Sequence, residues 1–128
     1  MKPIHSHDFT SGSRQAVPRL EHTGILCISA QSAINPVTGK APAGGIREQA
    51  EQALRNLENE LQTNFLHKHD VIMCKVYTPD VAYWPALNEV YAQFFEGHQP
   101  ARVVVPTNQL SSNSLVEVEA IVALKEKG

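Results

Sequence analysis

The sequence predicts a two-layer α+β sandwich with elements in the order β-β-α-β-α-β-β. Short alternating or β-branched runs recur along the chain, and two longer segments between them carry apolar residues at spacings of three and four. Helices that return to one sheet cover one of its faces, which produces two layers. With 128 residues and 42% hydrophobic content, the chain fits a single domain spanning residues 1–128.

The sequence pattern of the N-terminal third predicts an arm, two strands and a loop. Residues 1–13 are polar and lack a sustained period, so we expect an irregular arm that leads into a short strand before residue 17. Residues 25–31 alternate with apolar side chains on both faces, which indicates a central strand. Residues 35–45 contain two prolines and three glycines and are typical of a loop.

The middle of the chain predicts helix, strand and helix. The apolar spacing is helical from Ile46 to Phe65, about twenty residues. Residues 71–78 alternate as a strand. A second helix of about thirteen residues is expected from Trp84, because Pro85 is well tolerated in a first turn.

The closing segment predicts a β-hairpin with a long polar loop. Residues 101–105 form a short run with three β-branched valines, and residues 115–124 alternate, so we expect these two strands to pair, with Pro106 interrupting the first of them. A shift of one residue would move the valines from the core into water. The predicted register therefore buries four valines on one face: Val103, Val105, Val116 and Val118.

That register would place Arg102 on the opposite face, beside Glu117 and Glu119. One interpretation is a solvated ion pair across two strands, which contributes little to stability. The other is a preorganised site in which arginine binds a carboxylate and glutamate handles a proton or a water molecule. The hairpin pattern alone leaves both interpretations open.

Charge and composition exclude several classes of function. Eleven Lys and Arg residues against 13 Asp and Glu residues give a net charge of -2, which disfavours a nucleic-acid partner. The sequence contains neither a signal-peptide pattern nor an apolar run long enough to span a membrane, so we expect a soluble, cytoplasmic protein.

The cysteines and histidines favour ordinary structural roles. Cys27 and Cys74 sit inside apolar alternating runs, which favours reduced core thiols over a disulfide or a catalytic thiol. The histidine pairs at 5 and 7 and at 67 and 69 lie in predicted loops without an accompanying cluster of cysteines or carboxylates, and zinc needs three or four convergent ligands, so no metal site is predicted.

Four sequence motifs, in this order, carry a family resemblance. They are Asn35-Pro36-Val37-Thr38-Gly39, then Asn88-Glu89-Val90-Tyr91 with Phe94-Phe95, then Pro100-Ala101-Arg102, and finally Val116-Glu117-Val118-Glu119-Ala120-Ile121. Over residues 15–122 the chain resembles the Rid family of reactive intermediate deaminases, the RidA or YjgF-like proteins. The resemblance implies a chorismate-mutase-like fold and a homotrimer whose sheets form an inner barrel, with clefts between subunits.

The resemblance also implies a reaction that needs no cofactor. Arg102 would bind the carboxylate of an enamine or imine of the 2-aminoacrylate type, and Glu117 would position the hydrolytic water. Asn88 and Glu119 would have supporting roles. The products would be a 2-oxoacid and ammonia.

Other positions of the resemblance concern the shape of the cleft. Ser29 and Ala30 match a Ser-Gly pair of the family whose backbone contributes to the cleft, with alanine in place of glycine here. Ser13 stands where the family has a tyrosine, and Val104 replaces a residue that is often cysteine or small. Arg14 would add a second anion contact, so we expect the substrate preference to have diverged toward a bulkier imino acid or another carboxylated ligand.

Two further functions fit parts of the sequence. A non-catalytic protein that binds or senses a small carboxylate, such as a 2-oxoacid, would use the same intersubunit cleft. A ribonuclease is disfavoured because the net charge is negative and a His or Lys pair with a phosphate-binding lining is missing.

Overall fold

The structure is a computed structural model that describes residues 24–110 and 113–124. In chain order its elements are β1 (Ile25–Ser32), α1 (Ile46–Thr63), β2 (Val71–Thr78), α2 (Trp84–Phe95), β3 (Ala101–Pro106) and β4 (Glu117–Ala123), with short 3₁₀ turns ahead of β2 and α2. From residue 24 onward this order confirms the predicted succession of strands and helices. The predicted arm and first strand, like Ser13 and Arg14, lie outside the described residues.

The four strands form one mixed sheet in the order β1-β4-β2-β3. β4 runs antiparallel to both β1 and β2, whereas β2 and β3 are parallel and joined through α2. The predicted hairpin is therefore wrong, because β2 lies between β3 and β4. The chain crosses from β2 to β3 through α2, so β3 runs parallel to β2. The polar connection after β3 then leads to the position between β1 and β2, where β4 lies.

Two further details of the strands differ from the prediction. β1, expected at the centre, stands at one end of the sheet that the described residues form. β3 continues through Pro106, which pairs in register with Thr78. Proline is tolerated there because β3 is the edge strand and an outward-facing edge needs no N–H donor.

The predicted register is also wrong, and this changes the location of Arg102. Arg102 pairs with Cys74 of β2, whereas Glu117 pairs with Tyr77 of the same strand. Positions 74 and 77 differ by three, and side chains alternate along a strand, so Arg102 and Glu117 lie on opposite faces of the sheet. In agreement, Val103 is 43% exposed while Val118 is 2% exposed.

Both helices pack on one face of the sheet and enclose the core. The predicted apolar stripe of α1 is confirmed, since Leu57 and Leu61 are fully buried. Phe65 is an exception. The helix ends at Thr63, and Phe65 has a left-handed φ of 59° and is 94% exposed. The N–H of Leu66 then bonds to the carbonyl of Leu61 at 2.8 Å, which closes a Schellman-type end.

The opposite face of the sheet is not covered by any element within residues 24–110 and 113–124. Register and alternation assign to it Met73, Lys75, Tyr77, Glu117, Glu119 and Ile121. This open sheet face mixes apolar and charged side chains. Neither described helix is long and apolar enough to cross a lipid bilayer.

Candidate functional site

Arg102 lies on the edge strand β3 and extends toward α2. Its guanidinium carbon is 5.1 Å from the ring centroid of Tyr91, and the residue is exposed. The ion pairs among the described residues join Arg47 with Glu89 and Lys68 with Glu96, and neither involves Arg102. The interpretation of Arg102 and Glu117 as a cross-strand ion pair is therefore wrong for a single chain.

A cavity of about 450 Å³ opens beside Arg102, between α2 and the segment that leads into β3. Asn88, Tyr91, His98 and Gln99 contribute to its wall. A smaller hollow beneath it is lined by Arg102, Asn88 and Val104 among others. The structure thus brings together three of the residues singled out in the sequence, Arg102, Asn88 and Val104.

Sequence reasoning missed Tyr91 and His98. Asn88 and Tyr91 are three residues apart on α2, so they share a helix face, and this spacing was the signal that could have located Tyr91. His98 offered no comparable signal. Its Nε2 donates a hydrogen bond to the carbonyl of Val71 at 2.8 Å, which ties the loop after α2 to the start of β2.

The backbone after α2 explains why Arg102 faces the cavity. Glu96 has a left-handed φ of 52° and Gly97 a φ of 95°, so the chain reverses at the end of the helix. Residues 97–100 then run back along α2 and enter β3 in parallel with β2. This path puts the outward-pointing side chain of Arg102 next to the helix rather than on the open sheet face.

Beneath Arg102, Tyr91 and Cys74 form a partly apolar layer. Both cysteines are free thiols; Cys74 is fully buried, as predicted, whereas Cys27 is only partly buried and is not a core residue. Burial raises the pKa of the Cys74 thiol to about 11, so the thiol is protonated at neutral pH. Burial likewise raises the pKa of Tyr91 above its ordinary value.

The remaining predicted residues form a second group, away from Arg102. Ser29, Lys75 and Glu119 line a cavity of about 250 Å³ on the open sheet face. The Tyr77 hydroxyl donates a hydrogen bond of 2.5 Å to Oε1 of Glu119. Glu117 lies on the same face, in register with Tyr77.

The two groups do not meet within one chain. β1, which carries Ser29 and Ala30 at a register irregularity, is three interstrand spacings from β3, roughly 14 Å. Glu117 is two spacings from β3 and on the other face. Each chain therefore carries two separate groups of candidate residues. We call Arg102 with its cavity at the edge of β3 the arginine half, and Glu117 with Glu119 on the open sheet face the carboxylate half.

The Tyr77–Glu119 hydrogen bond predicts a loss of stability at high pH. The bond and burial raise the pKa of Tyr77 from 10.0 to about 12. Since the folded-state pKa exceeds the unfolded one, this contribution is present below pH 10 and is lost as the pH rises from 10 toward 12. We expect the free energy of unfolding to fall less steeply over that range in Tyr77→Phe than in the native protein, as measured by urea titration. Equal slopes for the two proteins would contradict the assignment.

Histidines and carboxylates do not converge on a metal-binding arrangement in the described part of the chain. No group of three His, Cys, Asp or Glu side chains there could hold an ion. His67 and His69 contact each other, with ring centroids 4.5 Å apart, and the His67 ring accepts a hydrogen bond from the backbone of His69. His5 and His7 fall outside the described residues.

Comparisons with known proteins agree with this fold. The family model described as Endoribonuclease L-PSP matches residues 12–124. A RutC family protein of Pyrococcus horikoshii is 40% identical over 102 residues, 80% of each chain. The 2-iminobutanoate/2-iminopropanoate deaminase of Mus musculus is 35% identical over 96 residues, 75% of this chain and 71% of the relative.

The solved structures extend the agreement to the backbone. The YjgF gene product of E. coli superposes with a TM-score of 0.79 at 29% identity, over 87% of each chain. Yeast Mmf1 gives a TM-score of 0.79 at 30% identity, over 87% of this chain and 86% of that one. The described sheet of four mixed strands with two helices is thus the fold of these proteins. The chain belongs to the RidA/YjgF/L-PSP family, also called the Rid or RutC family.

Proposed function

We propose that this protein is a hydrolytic deaminase of reactive enamine and imine intermediates. It would convert imino acids of the 2-aminoacrylate type into 2-oxoacids and ammonia. The observation that carries the proposal is the exposed Arg102 guanidinium, which has no carboxylate partner among the described side chains and borders a cavity large enough for a small carboxylate. Relatives about one-third identical are named 2-iminobutanoate/2-iminopropanoate deaminases, which supports the reaction class.

The chemistry follows from what the two side chains can do. Arg102 binds the substrate carboxylate through two parallel N–H donors, which fixes the plane of the imine. A water molecule adds to the imine carbon, the carbon–nitrogen double bond becomes a single bond, and Glu117 accepts a proton from that water. Glu117 passes this proton, and then the hydroxyl proton of the tetrahedral adduct, to the nitrogen. The carbon–nitrogen single bond then breaks as the carbon–oxygen double bond forms, and ammonia leaves. The imine is intrinsically reactive, so positioning supplies most of the acceleration and no cofactor takes part in these steps.

Because Arg102 and Glu117 lie on opposite faces of one sheet, the proposed site needs two chains. We infer a homotrimer in which the open sheet face is covered by neighbouring protomers and the carboxylate half of one chain meets the arginine half of the next. A face that carries Met73, Ile121 and half-exposed Val103 favours such burial over contact with water. Glu119, held by Tyr77, would support Glu117 at the junction.

The decisive experiment compares Arg102→Ala with the native protein on 2-iminopropanoate and 2-iminobutanoate, generated in situ by an amino-acid oxidase. Loss of a desolvated charge contact predicts a fall in kcat/KM on the order of 10²–10³-fold. Arg55→Ala is the matched control, because Arg55 is exposed on α1 and bonds to Gln52. A native protein that leaves the uncatalysed rate of 2-oxoacid formation unchanged would overturn the proposed reaction.

One observation favours a second function, the binding or sensing of a small carboxylate without turnover. Within a chain, the described ionisable residues that line the cavity are Arg102, His98 and Tyr91; no carboxylate is among them, and the His98 Nε2 already bonds to Val71. A binding protein would need only the arginine half. Calorimetry that detects saturable 2-oxobutanoate binding, lost in Arg102→Ala, together with no catalysis by the native protein, would select this function.

A further inference from the structure

We propose that the ring of Tyr91 holds the Arg102 guanidinium in its binding orientation, which makes Tyr91 a positioning residue for the carboxylate contact. The role of Tyr91 in substrate binding rests on the proposed function. The orientation of Arg102 is independent of that function, because it is a property of the protein without ligand.

The geometry between the two side chains is that of a cation–π contact. The guanidinium carbon is 5.1 Å from the centroid of the Tyr91 ring, inside the range of roughly 6 Å in which such contacts stabilise. Arg102 forms no ion pair with the carboxylates of the described residues. An exposed arginine without such a partner samples many rotamers, so within one chain the ring is the group that restricts it.

Tyr91 can serve as a platform because it is itself fixed. Its ring packs on the ring of Phe95 with centroids 4.8 Å apart, and Phe95 is fully buried. The other end of Tyr91 reaches into the core against the Cys74 thiol. The ring is therefore held along its length, and only the face toward Arg102 remains available to the cavity.

The hydroxyl of Tyr91 does not explain why this side chain is needed. It is buried against the Cys74 thiol, which is a weak hydrogen-bonding group, and it meets no oxygen or nitrogen partner among the described residues. A buried hydroxyl without a good partner costs free energy rather than adding stability. This leaves the aromatic face as the contribution of Tyr91, and it predicts that phenylalanine can replace tyrosine here whereas leucine cannot.

The first test observes Arg102 without ligand or turnover, by NMR of the Nε–Hε group in ¹⁵N-labelled protein. In the native protein, ring current should shift the Arg102 Hε signal upfield of that of Arg55, and the Nε–Hε order parameter should be higher. Tyr91→Phe should keep both properties, and Tyr91→Leu should lose both. Equal mobility of Arg102 in the native protein and in Tyr91→Leu would overturn the inference.

The second test measures the effect on binding with 2-oxobutanoate as the probe. The dissociation constant of Tyr91→Leu should exceed that of Tyr91→Phe by roughly 2- to 30-fold, the range that a cation–π contact covers. In an Arg102→Ala background, where only the weak residual binding is left and is followed by NMR titration at high 2-oxobutanoate concentration, the two Tyr91 variants should not differ. A difference that persists there would mean that Tyr91 acts through the general packing of the cavity, which would overturn the positioning role.

The two tests separate this inference from the proposed function. If Arg102 is ordered by Tyr91 but the protein neither binds 2-oxobutanoate nor hydrolyses imines, the deaminase proposal is overturned and the positioning role of Tyr91 stands. If hydrolysis depends on Arg102 but is unaffected by loss of the Tyr91 ring, the deaminase proposal stands and the positioning role is overturned.

Discussion

Mixed trimers of the proposed assembly, formed from Arg102→Ala and Glu117→Gln chains, should regain about a quarter of the native deaminase activity, although each variant alone should keep only a trace of it. The expectation follows from the two faces of the sheet. An Arg102→Ala chain still carries an intact carboxylate half, and a Glu117→Gln chain still carries an intact arginine half. With random assembly of equal amounts, one junction in about four combines the two intact halves.

The experiment needs co-refolded or co-expressed chains and a control that contains no intact junction. Mixing either variant with the double variant Arg102→Ala/Glu117→Gln provides that control, because one of the two groups is then missing from every junction. The control mixtures should stay inactive. If the mixed single variants also stay inactive while native chains treated in the same way recover, Arg102 and Glu117 do not act across a junction.

Phe95→Ala should lower the free energy of unfolding by about 3–5 kcal/mol, the range for removing a fully buried aromatic ring. Phe95 is fully buried and contacts three other rings: Phe94 and Tyr91, each with centroids 4.8 Å away, and His98 at 6.0 Å. Truncation of Phe95 would leave a cavity beneath the Tyr91 ring that Arg102 contacts. Urea unfolding at one fixed protein concentration measures the change, since the proposed assembly would make the stability depend on concentration.

Phe65→Ala is the matched control for this experiment. The helical spacing alone suggests that Phe65 continues the apolar stripe of α1, yet it is 94% exposed beyond the end of the helix. Its truncation should change the free energy of unfolding by about 0.5 kcal/mol or less. A loss of several kcal/mol at Phe65 would show that this ring is buried in the assembled protein.

Local patterns were sufficient to predict the helices and strands from residue 24 onward. The apolar spacing of α1 reports a buried stripe directly, because one helix face either meets the sheet or does not. Its end was less predictable. Phe65 has the right spacing, but the Schellman-type turn that ends the helix depends on backbone hydrogen bonds between residues 61 and 66, which spacing does not reveal.

Strand pairing could not be predicted in the same way. Three consecutive valines, residues 103–105, fit a strand with either face buried, so the pattern could not tell which face holds Arg102. Neighbouring position in the sequence suggested a hairpin, whereas the packing of α2 placed β3 beside β2. The pairing partner of a strand depends on the whole sheet and on the helix that crosses it.

For the candidate site, too, some features follow from the local sequence and others only from the tertiary structure. The sequence by itself determined the family and the succession of elements from residue 24 onward, and it led to the proposal of Arg102 as the anion-binding group, because motif residues and local periods are properties of the chain. Only the tertiary structure decided that Arg102 stands over Tyr91 at the edge of β3 while Glu117 lies on the other face. The physical reason is the two-residue alternation of strands, which turns a difference of one position in register into opposite sides of a sheet.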